Sequence, residues 1–295
     1  MVQRRGTPQG VQAVTGANSS SNGKTADVAS LRQAATQIRR DIVIMTTEAN
    51  SGHPGGSLSA VEIVTALYFH VMRHDPQNPA WPERDRFILS KGHASPVLYG
   101  ALARSGYFPA EELKTYRKLD SRLQGHPHVG TPGVEMSGGS LGQGLSFGIG
   151  HALAARLNGQ SYHTYVLLGD GECDEGQVWE AAMAANHYKV DNLTAFVDRN
   201  GIQNDRFTSQ VMELEPLADK WRAFGWHVIE CDGHDFVQVL DAVANARDVR
   251  GMPTVIIART VKGKGVSFME NNPDFHGKAA TKDELAIALT ELENA

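Results

Sequence analysis

Apolar positions along the chain follow two periods. From Ser30, LRQAATQIRRDIVIMTTEA places Leu31, Ala34, Ala35, Ile38, Ile42 and Met45 three or four residues apart, which predicts an amphipathic helix with Ser30 as its N-cap. A Gly52-His53-Pro54-Gly55-Gly56 turn follows, and VEIVTALYFHVM predicts a second helix capped by Ser57 or Ser59. RDRFILSKGHASPVLYGALARSG reads as a short strand, a turn at Lys91-Gly92-His93 and a helix.

A Gly-rich irregular stretch then leads into a helix entered near SLGQG. Beyond it the period switches back and forth: YHTYVLL, NLTAFVD, WHVIECD and TVIIART read as buried strands, and VWEAAMAANHY, EPLADKWRAFG, DFVQVLDAVANA and DELAIALTELE as helices between and after them. Short β-branched runs alternating with helices predict an α/β fold, a doubly wound, mostly parallel sheet flanked by helices. No repeat of solenoid period is present. Residues 1–27 are rich in Gly, Ser, Gln, Asn and Thr, so a mobile tail is expected there, with one folded domain over 28–295.

Composition narrows the function classes. The 295 residues are 41% hydrophobic, enough for a sizeable core, and a net charge of −5 with scattered Lys and Arg gives neither a nucleic-acid track nor a membrane surface. Small molecules and other proteins are the expected partners. Cys173 and Cys231 are far apart and lack metal-ligand spacing, which fits two buried thiols in a reducing compartment. With no signal-peptide core and no run of about 20 apolar residues, a cytoplasmic protein is expected.

The chemistry concentrates at strand ends. Gly169-Asp170-Gly171 closes one apolar run and a polar turn around Asn200 closes the next. In a doubly wound sheet both turns would face one crevice at the carboxyl ends of neighbouring strands. A Gly-Asp-Gly alone is a turn signal; paired with the second turn it is more specific. Asp170 would supply an anionic oxygen, Asn200 an amide oxygen and the region of Ile202 a carbonyl, a donor set suited to magnesium shared with phosphate oxygens. The two glycine amides would face the phosphates.

His53, His93, His126 and His276 lie beside glycine in separate polar turns, a pattern that points to one site. The other histidines, including His163 and His234, lack such support and read as surface or packing residues. Lys262 and Lys264 read more readily as a solvated basic turn than as phosphate contacts. Glu172, Asp174 and Glu175 read as favourable charge at a helix N-terminus.

GDGECDEGQVWEAAMAANHYKVDNLTAFVDRNGIQND resembles the thiamine diphosphate motif, and SGHPGG, SKGHA, GHP, SLGQG and KGKGVSFME resemble the set found in transketolases. The resemblance runs in family order over roughly residues 30 to 280 and covers only the half of transketolase that binds the diphosphate, the PP domain of the thiamin diphosphate-binding fold. It implies thiamine diphosphate and Mg2+ (or Ca2+ or Mn2+) as cofactors, with Asp170, Asn200 and the Ile202 carbonyl as metal ligands. Gly171 would hold the diphosphate, and His93 and His276 would contact it, His276 also near substrate. His53 and His126 match residues that bind substrate oxygens and help move protons. Gly139 and Leu141 match the loop against which the cofactor packs, and Glu175 an acid at the interface linking paired active sites.

The same resemblance implies transfer of a two-carbon ketol unit from a ketose to an aldose, sugar phosphates or related sugars, as in the pentose phosphate pathway. The family's glutamate that activates the cofactor's pyrimidine ring belongs to a second domain, and DELAIALTELENA ends where that domain would follow. A separate C-terminal, pyrimidine-binding transketolase subunit is therefore the expected partner, in a two-plus-two heterotetramer. Two alternatives remain: a subunit of another thiamine diphosphate enzyme, such as a 2-oxo acid dehydrogenase or a deoxyxylulose-phosphate synthase, and a non-catalytic binding module.

Overall fold

A computed structural model describes residues 27–204 and 206–294. Helix α1 (Val28–Glu48) buries Leu31, Ala35, Ile38, Ile42 and Met45, the face that the periodicity predicts. Its N-cap is Asp27 rather than Ser30: the Asp27 carboxylate accepts the Ala29 amide at 3.1 Å, and the Ser30 hydroxyl donates to the same carboxylate. The helix is therefore capped three residues before Ser30, whose hydroxyl supports the cap as a donor instead of forming one. Apart from Asp27, the expected tail lies outside the described residues.

In the Gly-His-Pro-Gly-Gly segment Gly52 forms a bend and His53 the N-cap, and Pro54-Gly55-Gly56 are already helical. Helix α2 (Pro54–Leu58) starts on a proline, whose fixed φ suits the first helical position and whose missing amide costs nothing there. Helix α3 (Val61–Ala66) has Ala60 at its N-cap and runs into a π-helical turn at Leu67–Val71. Neither Ser57 nor Ser59 caps it. Ser57 Oγ donates to the His53 carbonyl at 2.8 Å, and Ser59 Oγ donates to the Asp198 carboxylate at 2.6 Å.

The remaining order is β1 (Arg86–Leu89), α4 (Ser95–Ser105), α5 (Gln143–Leu157), β2 (Thr164–Gly169), α6 (Gly176–His187) and β3 (Leu193–Arg199). A two-strand hairpin, β4 (Ile202–Gln203) and β5 (Arg206–Phe207), and the short α7 (Thr208–Val211) come next. Two-residue strands carry no readable period, so the sequence does not announce them. The chain finishes with α8 (Leu217–Ala223), β6 (His227–Asp232), α9 (Phe236–Asp248), β7 (Thr254–Arg259) and α10 (Lys282–Glu293).

Five of these strands form one parallel sheet in the order β1-β2-β3-β7-β6. Alternate residues face opposite cores. Phe87, Tyr165, Leu167, Phe196 and Ile256 pack with residues of α1, α3, α4 and α9, while Ile88, Val166, Leu168, Val197 and Ile257 pack with α5, α6 and α8. The connections through α5, α6 and α8 travel one way across the sheet, and the return from β6 to β7 passes through α9 on the opposite face. Right-handed crossovers demand that exchange of faces. Close approach of α5 depends on glycine: a Cβ on Gly148 would lie 2.4 Å from Val166 Cγ2, and one on Gly144 2.4 Å from Ser90 Cβ. That contact brings the Leu141–Gly142 loop down onto the carboxyl ends of β1 and β2. Among the described residues no helix is long and apolar enough to cross a membrane.

Candidate active site

Strands β2 and β3 are hydrogen-bonded neighbours with Gly169 opposite Asp198, so the two polar turns meet at one edge of the sheet. Asp170 Oδ2 accepts the Gly201 amide at 2.6 Å, tying the Gly-Asp-Gly turn to the Asn200 turn. Asn200 Oδ1 accepts the Ile202 amide at 3.1 Å, and its Nδ2 donates to Asp198 at 3.2 Å, which settles which end of the amide faces which partner. The Ile202 carbonyl accepts Lys262 Nζ at 3.0 Å.

Together these turns line a cleft that also takes in His53, His93, His126, His276, Gly139, Leu141 and Gly171. Every site residue picked from the sequence borders it except Glu175. Glu175 is exposed and begins α6 without a side-chain capping bond. One detail of the sequence reading is corrected: the glycine amides are not free. Gly169 N–H donates to Glu172 Oε2 at 2.9 Å and Gly171 N–H to Asp170 Oδ1 at 2.8 Å. Carboxylates of the turn itself reach those amides first, because they are held within the same few residues.

Three imidazoles form the wall. The ring centroids of His53 and His93 are 5.1 Å apart, those of His53 and His276 5.3 Å, and those of His93 and His276 5.2 Å. Burial, the nearby Arg117 charge, His126 and Lys262 lower His53 to about 4; burial and then Lys262 lower His276 to about 3. His93 is pushed well down by burial and Lys91, and His126 is lowered by burial and Arg117. These are neutral rings at physiological pH. Lys262 Nζ donates to His276 Nδ1 at 2.6 Å. An ammonium has no lone pair, so His276 carries its proton on Nε2. His53 Nδ1 is buried and has no hydrogen-bond partner.

A stability consequence follows from the linkage sign. For His53 and His276 the folded-state values, about 4 and about 3, lie below the usual 6.5, so the unfolded chain binds more protons as the pH falls. Stability from these groups is present above pH 6.5 and lost as the pH falls from there toward 4. Urea unfolding midpoints between pH 7.5 and pH 4 are expected to drop less steeply for His53→Gln/His276→Gln than for wild type; equal slopes would rule out this assignment.

Four charged groups beneath the cleft were not singled out as site residues, and all are buried. Lys91 (2% exposed) forms an ion pair with Asp198 (0%) and donates to the Gly56 carbonyl at 2.7 Å. Burial alone would raise Asp198, but the Lys91 ammonium and the Ser59 and Thr260 hydroxyls hold it low. Asp170 has no such cation at its oxygens, and burial followed by the Asp198 charge pushes it up to about 6. Glu172 accepts Ser90 Oγ and the amides of Gly142 and Gly169, so it braces the α5 entrance against the β2 turn. Lys262 is buried rather than solvated, whereas Lys264 pairs with Glu270 at 3.2 Å. A signal was available: Lys91 follows the apolar run of β1 by two residues and Asp198 directly follows the apolar run of β3, where an unpaired charge would be costly.

The donor set fits a hard divalent cation. Asp170, Asn200 and Ile202 offer a carboxylate, an amide and a carbonyl oxygen, and the carboxylate least satisfied by neighbouring cations is the one placed for it. No group of three His, Cys, Asp or Glu suited to a metal occurs among the described residues, so such an ion would need oxygens from amide, carbonyl and ligand.

Comparison with known proteins converges on one family. A family model described as "Transketolase, thiamine diphosphate binding domain" matches residues 30–293. A 6-deoxy-6-sulfo-D-fructose transketolase subunit from Clostridium sp. (strain MSTE9) is 46% identical over 89% of this chain and 96% of its own length. An apulose-4-phosphate transketolase subunit from Actinobacillus succinogenes is 45% identical over 90% of this chain and 96% of its own. The crystal structure of transketolase from Campylobacter jejuni superposes with a TM-score of 0.86 at 33% identity, covering 91% of this chain but 43% of that one. The chain thus spans under half the length of that solved transketolase.

Proposed function

The chain belongs to the transketolase family, in the part that carries the thiamine diphosphate-binding domain, and from that premise we propose that it is the diphosphate-anchoring subunit of a two-chain transketolase. The observation that carries this reading is the convergence of the Asp170 turn, the Asn200 turn and the histidine wall on one cleft at the carboxyl edge of the sheet. Thiamine diphosphate, when bound, would supply the carbon nucleophile needed for transfer of a two-carbon ketol unit from a ketose to an aldose.

The chain's own residues divide the remaining work. Asp170, Asn200 and the Ile202 carbonyl would hold the magnesium ion. With the Gly169 and Gly171 amides already engaged, positive charge for the diphosphate comes from Lys262 and, behind it, Lys91. His93 and His276 stay neutral and present ring nitrogens to the diphosphate, and His276 offers Nε2–H to a substrate oxygen. His53 and His126, also neutral and both lining the cleft, accept or return a proton at a sugar hydroxyl. Gly139 and Leu141 form the floor on which the cofactor packs. Glu175, exposed at the start of α6, belongs to the contact between subunits.

A pyrimidine-binding transketolase subunit completes the site, in a two-plus-two assembly with active sites at the interfaces. The two buried, free thiols fit a cytoplasmic setting. The substrate class is a ketose donor and an aldose acceptor. The relatives, one a 6-deoxy-6-sulfo-D-fructose transketolase subunit and one an apulose-4-phosphate transketolase subunit, support testing ketoses beyond xylulose 5-phosphate.

Reconstitution tests the reading. The purified chain is expected to show no ketol transfer from xylulose 5-phosphate to ribose 5-phosphate alone and to gain transfer from a ketose on addition of a pyrimidine-domain subunit. Transketolase-like turnover by the chain alone would overturn the two-chain reading. A preference for pyruvate over every ketose offered would move it to another thiamine diphosphate enzyme.

A further inference from the structure

Outside the cleft, a largely buried charged cluster joins α1, α3 and the loop between β6 and α9 beside the apolar core that they share. Arg39 on α1 forms a two-pronged ion pair with Glu62 on α3, Nη1 to Oε1 at 2.7 Å and Nη2 to Oε2 at 2.9 Å. His234, in the loop between β6 and α9, bonds Glu62 Oε2 through Nδ1 at 2.9 Å. Arg39 and Glu62 are 7% and 6% exposed and the His234 side chain 15%, so the ion pair is buried while the three residues line a second pocket, away from the cleft. Burial alone would raise Glu62, yet Arg39 and His234 outweigh it and hold the carboxyl at about 2.

The remaining bonds of the cluster all go to one short segment of backbone. His234 Nε2 accepts the Val261 amide at 2.8 Å, and Arg39 Nε donates to the Lys264 carbonyl at 3.1 Å. An Nε2 that accepts an amide carries no proton, so Nδ1 carries it and donates to Glu62. Lys262 lies between these two anchors. Gly263 N–H adds a third tie, to the Gly55 carbonyl at 3.0 Å in α2. Its φ of +81° and a would-be Cβ 2.2 Å from the Met269 carbonyl oxygen leave the turn one shape. The segment leaves β7 with its Lys262 ammonium delivered to the Ile202 carbonyl and His276.

Fixing a lysine side chain costs rotamer freedom, and fixing its backbone on both sides removes the further cost of ordering the loop at binding. We propose that Arg39, Glu62 and His234 form a positioning device for Lys262, holding the backbone of residues 261–264 so that one ammonium stands preset at the diphosphate. None of the three borders the cleft. Their effect passes through Val261 and Lys264 alone. The inference rests on the reading of Lys262 as a diphosphate contact.

The test is calorimetric binding of thiamine diphosphate with magnesium to the full chain, in a double-mutant cycle. His234→Ala is expected to weaken binding about tenfold in the wild-type background and less than about twofold in a Lys262→Ala background, the signature of a residue acting through that lysine. His234→Gln, whose carbonyl can accept from Val261 and whose amide can donate to Glu62, is expected to restore affinity to within about threefold of wild type. Wild-type affinity in His234→Ala, or an equal loss in both backgrounds, would overturn the positioning role. Arg39→Lys keeps the charge but loses the fork, and serves if His234→Ala does not fold: an affinity loss supports the device, and unchanged affinity removes it. Failure of the wild-type chain to bind the magnesium cofactor overturns the reading of the site itself and this inference with it. Wild-type binding with no coupling to Lys262 overturns the inference alone.

Discussion

Replacing Asp170 by alanine is expected to weaken binding of magnesium and thiamine diphosphate by about 3 kcal/mol, roughly a hundredfold, the scale of removing one member of a buried charge pair. The reason is electrostatic. Asp170 is 3% exposed and pushed up to about 6 by burial and by the Asp198 charge, which outweigh the Gly201 and Gly171 amides and the Lys262 charge, so it stands as a poorly compensated carboxylate. A divalent ion reverses that situation, since its charge favours the ionised form. Asp198 cannot substitute, because Lys91 already occupies it. Asp170→Asn is the sharper comparison: it keeps an oxygen at the same place and accepts from Gly201, while losing the charge. Calorimetry on the three proteins at one magnesium concentration decides the matter. Equal affinity for wild type and Asp170→Ala would remove Asp170 from the metal site.

Loss of either member of the Lys91–Asp198 pair is expected to cost about 3–5 kcal/mol of folding stability, because the survivor is left charged in the interior. Against total stabilities of about 5–15 kcal/mol, that is a large fraction, and urea unfolding would show it as a shifted midpoint at unchanged slope. Asp198 ties together much of the site: it accepts Ser59, Lys91, Thr260 and Asn200, which come from the α2–α3 junction and the ends of β1, β7 and β3. A neutral pair, Lys91→Met with Asp198→Asn, is expected to recover most of the lost stability, since Asn still bonds the hydroxyls and no lone charge remains. It is not expected to recover cofactor affinity. A double variant that folds and binds the cofactor as wild type does would make the pair a purely structural element.

Much of the fold is legible because the two periods are clean. The strands Thr164–Gly169, Leu193–Arg199, His227–Asp232 and Thr254–Arg259 lie within or one residue from the apolar runs that announce them, and the intervening helices start and stop where turn residues mark them. What the local pattern misjudges are competitions between nearby groups. Asp27 caps α1 three residues ahead of Ser30, Pro54 starts a helix inside an apparent turn, and Glu172 captures an amide expected to face a phosphate. Each outcome depends on which acceptor the chain brings closest, and a string of letters carries no distance.

The site divides in the same way. Asp170, Asn200 and the glycine-flanked histidines are readable, because polar residues at the ends of buried strands have few structural reasons to be there. Lys91, Asp198, Glu172 and Lys262 are of equal weight in the structure, yet from the sequence Lys262 and Glu172 look like solvated charges. His234 looks like a surface residue, yet it bonds Glu62 across 172 positions of sequence.

The amino-acid sequence by itself determines the parallel α/β sheet, the two polar turns and the family to which their spacing belongs, because period, turn chemistry and motif order are local properties. Only the tertiary structure decides which charges are buried and which partner neutralises each. That balance between Coulomb attraction and desolvation is set by groups brought together from distant parts of the chain, as Lys91 is to Asp198 and Arg39 to Glu62.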